Sequence, residues 1–286
     1  MTKVDVALPQ DVLDVITAHV DDVVTLLKLC LVSRALLPQA QRELYREITL
    51  IDTGNNMNRG TPGRKETILK FFRTMITRPR LAKNVRRFTY RGRRLQYDWW
   101  ERMNGALQPM IHLRFFFLEG SQLPLATMLF KDCSFQLREF RWVIDTKLSP
   151  TTSLSRGTEE EHLRTFLSTQ KEIIALNAPF ASIRVPPIIC PSLKILVGDT
   201  DTIMKVLPGR ETVVWLLFRD SQWGAVCDYD AIISPLSRIR CLFLSGHVPR
   251  RNLIEFVPYL HNIEIIFLSG TALGVSLSSV ADPGFK

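Results

Sequence analysis

The chain has 286 residues, 46% of them hydrophobic, with 37 Lys/Arg against 28 Asp/Glu for a net charge of +9. That is an ordinary composition for a folded protein with one or two domains and a sizeable core. No apolar run reaches the roughly 18–20 residues needed to cross a bilayer, and no charged-then-apolar leader opens the chain, so an intracellular protein is expected. The charge is uneven. Residues 1–50 hold five Lys/Arg against seven Asp/Glu, leaving +11 on residues 51–286, which suggests two modules with different partners.

The first fifty residues predict three short helices. Leu8-Pro9-x-x-Val12-Leu13-x-x-Ile16 opens an amphipathic helix, with Pro9 in the first turn, Asp11 and Asp14 near its positive end, and Val12, Val15, Ile16 and Val20 on one face. Val23 to Val32 and Leu37 to Tyr45 supply the second and third. Such a small bundle buries little surface, and its surplus apolar residues need another protein to cover them. Leu31-Val32-Ser33-Arg34 and Leu44-Tyr45-Arg46-x-Ile48-x-Leu50 complete the block.

Together these three pieces resemble an F-box, most closely those of the large fungal families. The resemblance implies docking on the Skp1-like adaptor of a cullin–RING ubiquitin ligase. It places Leu8, Pro9, Val12, Ile16, Leu31, Val32 and Leu36 at or just behind that interface. One departure is that Leu36 stands where many family members carry Trp. The competing reading of the residues is a helical cap over the end of a larger domain.

Residues 51–65, rich in Gly and Asn, read as a linker. From 66 to 286 a strand phrase recurs: Phe88–Gly92, Leu113–Gly120, Phe140–Asp145, Ile173–Asn177, Leu193–Gly198, Val213–Asp220, Ile239–Gly246 and Ile263–Gly270. Helices are predicted between the phrases at Glu66–Ile76, Trp99–Leu107, Leu125–Phe130, Glu159–Thr169, Thr202–Leu207 and Asn252–Val257. Strand, turn and helix repeated every 20–30 residues or so is the pattern of a solenoid, whose units bury their apolar faces by stacking.

A Leu-x-x-Leu-x-Leu-like frame is read at Leu236-x-x-Ile239-x-Cys241-x-x-Leu244 and at Leu260-x-x-Ile263-x-Ile265-x-x-Leu268. These stretches resemble leucine-rich repeats, without the usual turn Asn and with irregular arcs. The expected fold is therefore α/β: an N-terminal three-helix F-box-like module (1–50), the linker, and an irregular leucine-rich-repeat solenoid with a parallel strand face (66–286). A doubly wound α/β domain is the alternative. Ser278–Lys286 is expected as a short polar tail, and the Ser/Thr-rich stretch Leu148–Gly157 as an exposed loop.

No catalytic, metal or cofactor set emerges. The histidines at 19, 112, 162, 247 and 261 lack metal-ligand spacing, and no serine sits in a nucleophile elbow. Glu159-Glu160-Glu161 is expected at a helix start. The cysteines at 30, 133, 190, 227 and 241 form no CxxC and are expected as buried free thiols.

A basic stretch, Arg78 to Arg94, with aromatics at 90, 97, 99 and 100, is compatible with nucleic acid. A solvated face, or a patch for an acidic or phosphorylated protein, accounts for it equally well. The sequence thus points to a non-catalytic substrate receptor of the ligase. Its target-facing candidates are Arg91, Arg114, Glu119, Arg141, Lys194, Arg219, Asp220, Arg240 and Glu264, subject to strand register. The alternatives are an interaction scaffold that does not bind the adaptor and, further behind, a nucleic-acid-binding module.

Overall fold

The computed structural model describes residues 8–52, 64–92, 97–120, 129–144, 153–180, 183–219, 232–245 and 257–269. The chain forms two compact units, Met1–Ile173 and Ile174–Lys286. The first carries helices α1 (Gln10–Ala18), α2 (Val23–Val32), α3 (Leu37–Arg46), α4 (Arg64–Thr77), α5 (Pro79–Ala82), α6 (Tyr97–Leu107) and α7 (Ser153–Ser168). Its strands are β1 (Glu47–Asp52), β2 (Arg87–Gly92), β3 (Phe115–Gly120) and β4 (Glu139–Ile144). The second unit carries β5 (Ala175–Asn177), β6 (Ile195–Gly198), α8 (Thr200–Val206), β7 (Trp215–Phe218), α9 (Ile233–Leu236), β8 (Cys241–Ser245) and β9 (Ile265–Ser269).

The three N-terminal helices form where the apolar spacing predicts them. Pro9 lies one residue before α1 and its carbonyl accepts from the amides of Val12 and Leu13 at 3.1 and 3.2 Å. A proline there forfeits no helical hydrogen bond. Asp22 caps α2, its carboxylate accepting from the Thr25 amide at 2.8 Å and the Thr25 hydroxyl at 2.6 Å. Those bonds from Thr25 hold the Asp22 carboxyl below its ordinary range.

Helices α1 and α2 both pack on α3, which buries Gln39 and Ala40. The helical module ends sooner than residue 50. Ile48-x-Leu50 is part of β1, which pairs in parallel with β2 through Ile48↔Phe88 and Leu50↔Tyr90.

Each unit keeps its strands parallel and in chain order, with no slip at any pairing. Among the described residues neither shows the order reversal that makes the ligand crevice of a doubly wound domain. One hydrogen-bond device recurs. The two amides at the head of a strand share the carbonyl of the preceding repeat: Arg114 and Phe115 on Arg86, Lys194 and Ile195 on Ile174, Arg240 and Cys241 on Val214. Such a bifurcated bond fixes the height of each of these strands on the one before it.

That register corrects the repeat frame. Cys241 and Ile265 do not point inward; Cys241 is half-buried and Ile265 is 52% exposed, on the outward face of their strands. The buried frame lies three residues later, as Ile239-x-x-Leu242-x-Leu244. It matches Val85-x-x-Phe88-x-Tyr90, Leu113-x-x-Phe116-x-Leu118 and Leu137-x-x-Phe140-x-Trp142, all buried. In-register stacking turns these positions into ladders. Phe116 stacks between Phe88 and Phe140 at centroid distances of 5.9 and 5.8 Å. Phe166 of α7 closes over this core by stacking on Phe130 at 4.1 Å.

The second unit builds its ladder from Leu176, Leu196, Leu216 and Leu242. It also buries a cation, Arg210, at 2% exposure. Among the described residues no carboxylate lies within ion-pair distance of it. The guanidinium instead donates to the carbonyls of Val206 (2.7 Å), Ile189 (2.7 Å), Pro186 (3.0 Å) and Cys190 (3.1 Å), with a longer contact to Val185 at 3.5 Å. Cys190 sits there in the left-handed region, φ 53°. Burial lowers the Arg210 pKa, as desolvation of a cation must.

Three smaller expectations also change. Helix α7 begins at Ser153, inside the stretch 148–157 expected as a loop. Glu159 and Glu160 lie within that helix, buried at 7% and 1%, not at its start. Of the four described cysteines only Cys190 is buried; Cys30, Cys133 and Cys241 are half-buried. Cys227, the tail 278–286, most of the linker and of the predicted helix 125–130, and nearly all of the predicted helix 252–257 lie outside the described residues.

Candidate interaction surfaces

The helical module buries one apolar residue of α2, Leu26, half-buries Leu29 and Cys30, and leaves Val23, Val24, Leu27, Leu31 and Val32 exposed. Leu31 is 87% exposed and Val32 78%, with Val23, Val24 and Leu27 near half. On α1, Val12, Val15 and Ile16 are exposed, as is Leu8 before it. The reason is local. With α1 and α2 each resting on α3, a ten-residue helix as apolar as VVTLLKLCLV has more hydrophobic circumference than one neighbour can cover. Six of the seven residues assigned to adaptor docking therefore face solvent: Leu8, Pro9, Val12, Ile16, Leu31 and Val32. Leu36 is half-buried at the start of α3. A helical cap over a larger domain would have buried this face.

The outward face of the first sheet is charged and aromatic. Glu47 and Arg87 face each other at 3.7 Å, and Arg91 and Glu119 at 3.4 Å, across neighbouring strands. Arg141 pairs with Glu139 at 3.3 Å. The guanidiniums also lie over rings. Arg87 is 4.3 Å and Arg141 5.8 Å from the centroid of Phe115, and Arg91 is 5.3 Å from Phe117. Ion pairs this exposed add little stability. Their effect is to lay planar cations across aromatic faces, a surface suited to a polar partner. Arg91, Glu119 and Arg141 are thus brought together on one face.

The remaining target candidates are placed otherwise. Arg114, Lys194, Arg240 and Glu264 occupy the position just before their strands, along the edge and not on the face. Arg240 and Glu264 pair with each other at 2.5 Å. Arg219 is half-buried and donates to the Asn177 side-chain oxygen, and Asp220 lies outside the described residues. The face those residues were expected to form in the second unit is instead apolar. Ile195, Trp215 and Ile265 form one outward row, Val197, Leu217, Phe243 and Phe267 the next, with Phe243 and Phe267 stacked at 4.9 Å. Alternation along each strand was the signal for this face, once its register is known.

The basic stretch 78–94 does not present one surface. Arg78, Arg80 and Lys83 are exposed around α5, Arg87 and Arg91 stand on the strand face, and Arg86 is half-buried at the strand edge. Arg93 and Arg94 lie outside the described residues, as do the Tyr97 side chain and His247. Among the described residues no three His, Cys, Asp or Glu side chains are placed to hold a metal ion. No helix among them is long and apolar enough to cross a membrane. Compared with known proteins, the chain matches no family model, and no curated protein matches it in sequence.

Proposed function

We propose that this chain is the substrate-receptor subunit of a Skp1–cullin–F-box ubiquitin ligase, with α1–α3 as an F-box-like module and the parallel repeats as an irregular leucine-rich solenoid. The observation that carries the reading is the exposed apolar surface of α1 and α2, with Leu31 and Val32 almost wholly in water. Exposed patches of this kind on a small module mark a protein-docking site. In this role the chain needs no nucleophile or base. It holds a target so that a lysine meets a ubiquitin-loaded enzyme supplied by the rest of the complex, and the rate gain comes from proximity.

The strand face around Arg91, Glu119 and Arg141 is the target-binding surface of this reading. Binding of the purified full-length chain to a purified Skp1-type adaptor tests it. A well-folded chain that does not bind would leave a scaffold, a second reading favoured by the apolar outward rows of the second unit.

A further inference from the structure

Six arginines distant in sequence meet where the strands of the first unit begin. Arg42 and Arg46 come from α3, Arg86 and Arg87 from the start of β2, Arg114 from before β3 and Arg138 from before β4. They line a groove of about 440 Å³. Three carboxylates share its wall, and each is already engaged: Glu43 with Arg46 at 3.1 Å, Glu47 with Arg87 at 3.7 Å, and Glu139 with Arg141 on the strand face at 3.3 Å. Arg114 is held by Glu172 at 2.5 Å.

Arg42, Arg86 and Arg138 have no carboxylate within ion-pair distance among the described residues, and Arg86 gives one N–H to the His112 carbonyl at 3.4 Å. The groove therefore gathers more cation than the described carboxylates neutralise. The neighbours register it. The Arg86 pKa is lowered by burial and then by Arg42, Arg114 and Arg46, and that of His112 by burial and then by Arg86, Arg114, Lys83 and Arg42.

We propose that this groove is a binding site for a compact phosphate-bearing ligand. Guanidinium forks match the oxygens of a phosphate dianion, and convergent arginines recover on binding the repulsion they carry when the groove is empty of anion. The volume suits a small ligand or one phosphorylated side chain with its neighbours. A nucleic-acid strand fits it worse. It needs a continuous basic track, whereas carboxylates interrupt this wall and the arginines of the strand face are paired with glutamates. The site lies on the strand edge and stands whether or not the helical module docks on an adaptor.

The test uses the full chain at low ionic strength and three probes: a blocked phosphoserine (N-acetyl, N-methylamide), inorganic pyrophosphate, and a twenty-nucleotide single-stranded DNA. Phosphorus NMR line broadening and calorimetry read the binding. The expected result is saturable one-to-one binding of the phosphate probes, weakened at least about tenfold by Arg42→Gln/Arg138→Gln with an unchanged Tm, since both side chains are exposed. Preference for phosphoserine assigns the source to a phosphorylated protein, and preference for pyrophosphate to a free small molecule. Absence of saturable phosphate binding overturns the proposal, as does equal binding by the folded variant. Tighter DNA binding through the same arginines would replace it with a nucleic-acid interface.

Discussion

Leu31→Ala/Val32→Ala separates docking from folding at one place. Leu31 is 87% exposed and Val32 78% in the free chain, so their side chains are already in water and their truncation removes no buried contact. Thermal unfolding should shift by no more than a few degrees, as for other surface changes. A docked partner changes that balance. Leu→Ala removes three carbons and Val→Ala two, each worth about 0.8 kcal/mol when newly buried. Scaled by the exposed fractions, the pair loses about 3 kcal/mol of binding, or roughly 200-fold in Kd.

Isothermal titration of the wild-type and variant chains against a Skp1-type adaptor, with Tm recorded for both, measures the two effects together. Leu26→Ala on the same helix gives the contrast. Leu26 is 4% exposed, so its truncation should destabilise the fold by about 2–5 kcal/mol. Tight adaptor binding that survives the double substitution would refute the docking face, and a large loss of Tm would refute the exposure argument beneath it.

Other substitutions probe the packing. A Cβ added at Gly92 would lie 2.4 Å from the Tyr90 hydroxyl oxygen, so Gly92→Ala should cost about 1–3 kcal/mol in urea unfolding. Tyr90→Phe should return only part of that, because ring carbons remain at 2.7 and 2.8 Å. Arg210→Met takes a donor from four carbonyls, of which those of Pro186 and Cys190 keep the amides of Ile189 and Leu193, and should destabilise by about 3–5 kcal/mol in the same assay through the buried Val206 and Ile189 carbonyls. Arg210→Lys should rescue little, since an ammonium cannot span the same fan of acceptors.

The Cys133 thiol is pushed up to about 12, first by burial and then by the charge of Asp132. It should resist iodoacetamide at pH 8.5 in the folded chain and react once unfolded, as read by peptide mass spectrometry. Its raised folded pKa means that the stability it contributes is whole below pH 9 and declines as pH rises from 9 towards 12, where only the unfolded thiol ionises. A folded chain alkylated at Cys133 as fast as the unfolded one would contradict this.

The sequence alone determined the three N-terminal helices and the strands of the repeats. Apolar residues at helical spacing placed α1, α2 and α3 to within a residue or two. Recurrent phrases such as Phe88–Gly92 and Leu193–Gly198 located every strand from β2 to β9, because a strand buried on one face must repeat apolar side chains at a period of two. Repeat spacing likewise foresaw β5 in the long interval after β4.

The same pattern did not determine the register. Both Leu236-x-x-Ile239-x-Cys241 and Ile239-x-x-Leu242-x-Leu244 are apolar in sequence, and only stacking against β7 and β9 decides that Leu242 turns inward and Cys241 outward. Nor could the string show β1, since Ile48-x-Leu50 is too short a signal until β2 offers it a partner. The charges divide in the same way. Local composition announced a basic stretch at 78–94, yet the structure scatters it. It assembles the groove from Arg42, Arg46, Arg86, Arg87, Arg114 and Arg138, which only the stacking of α3 and three successive strands brings together. Hydrophobic period is written along the chain because each element must bury one side of itself. The meeting of residues distant in sequence depends on which elements become neighbours, and that is decided by packing.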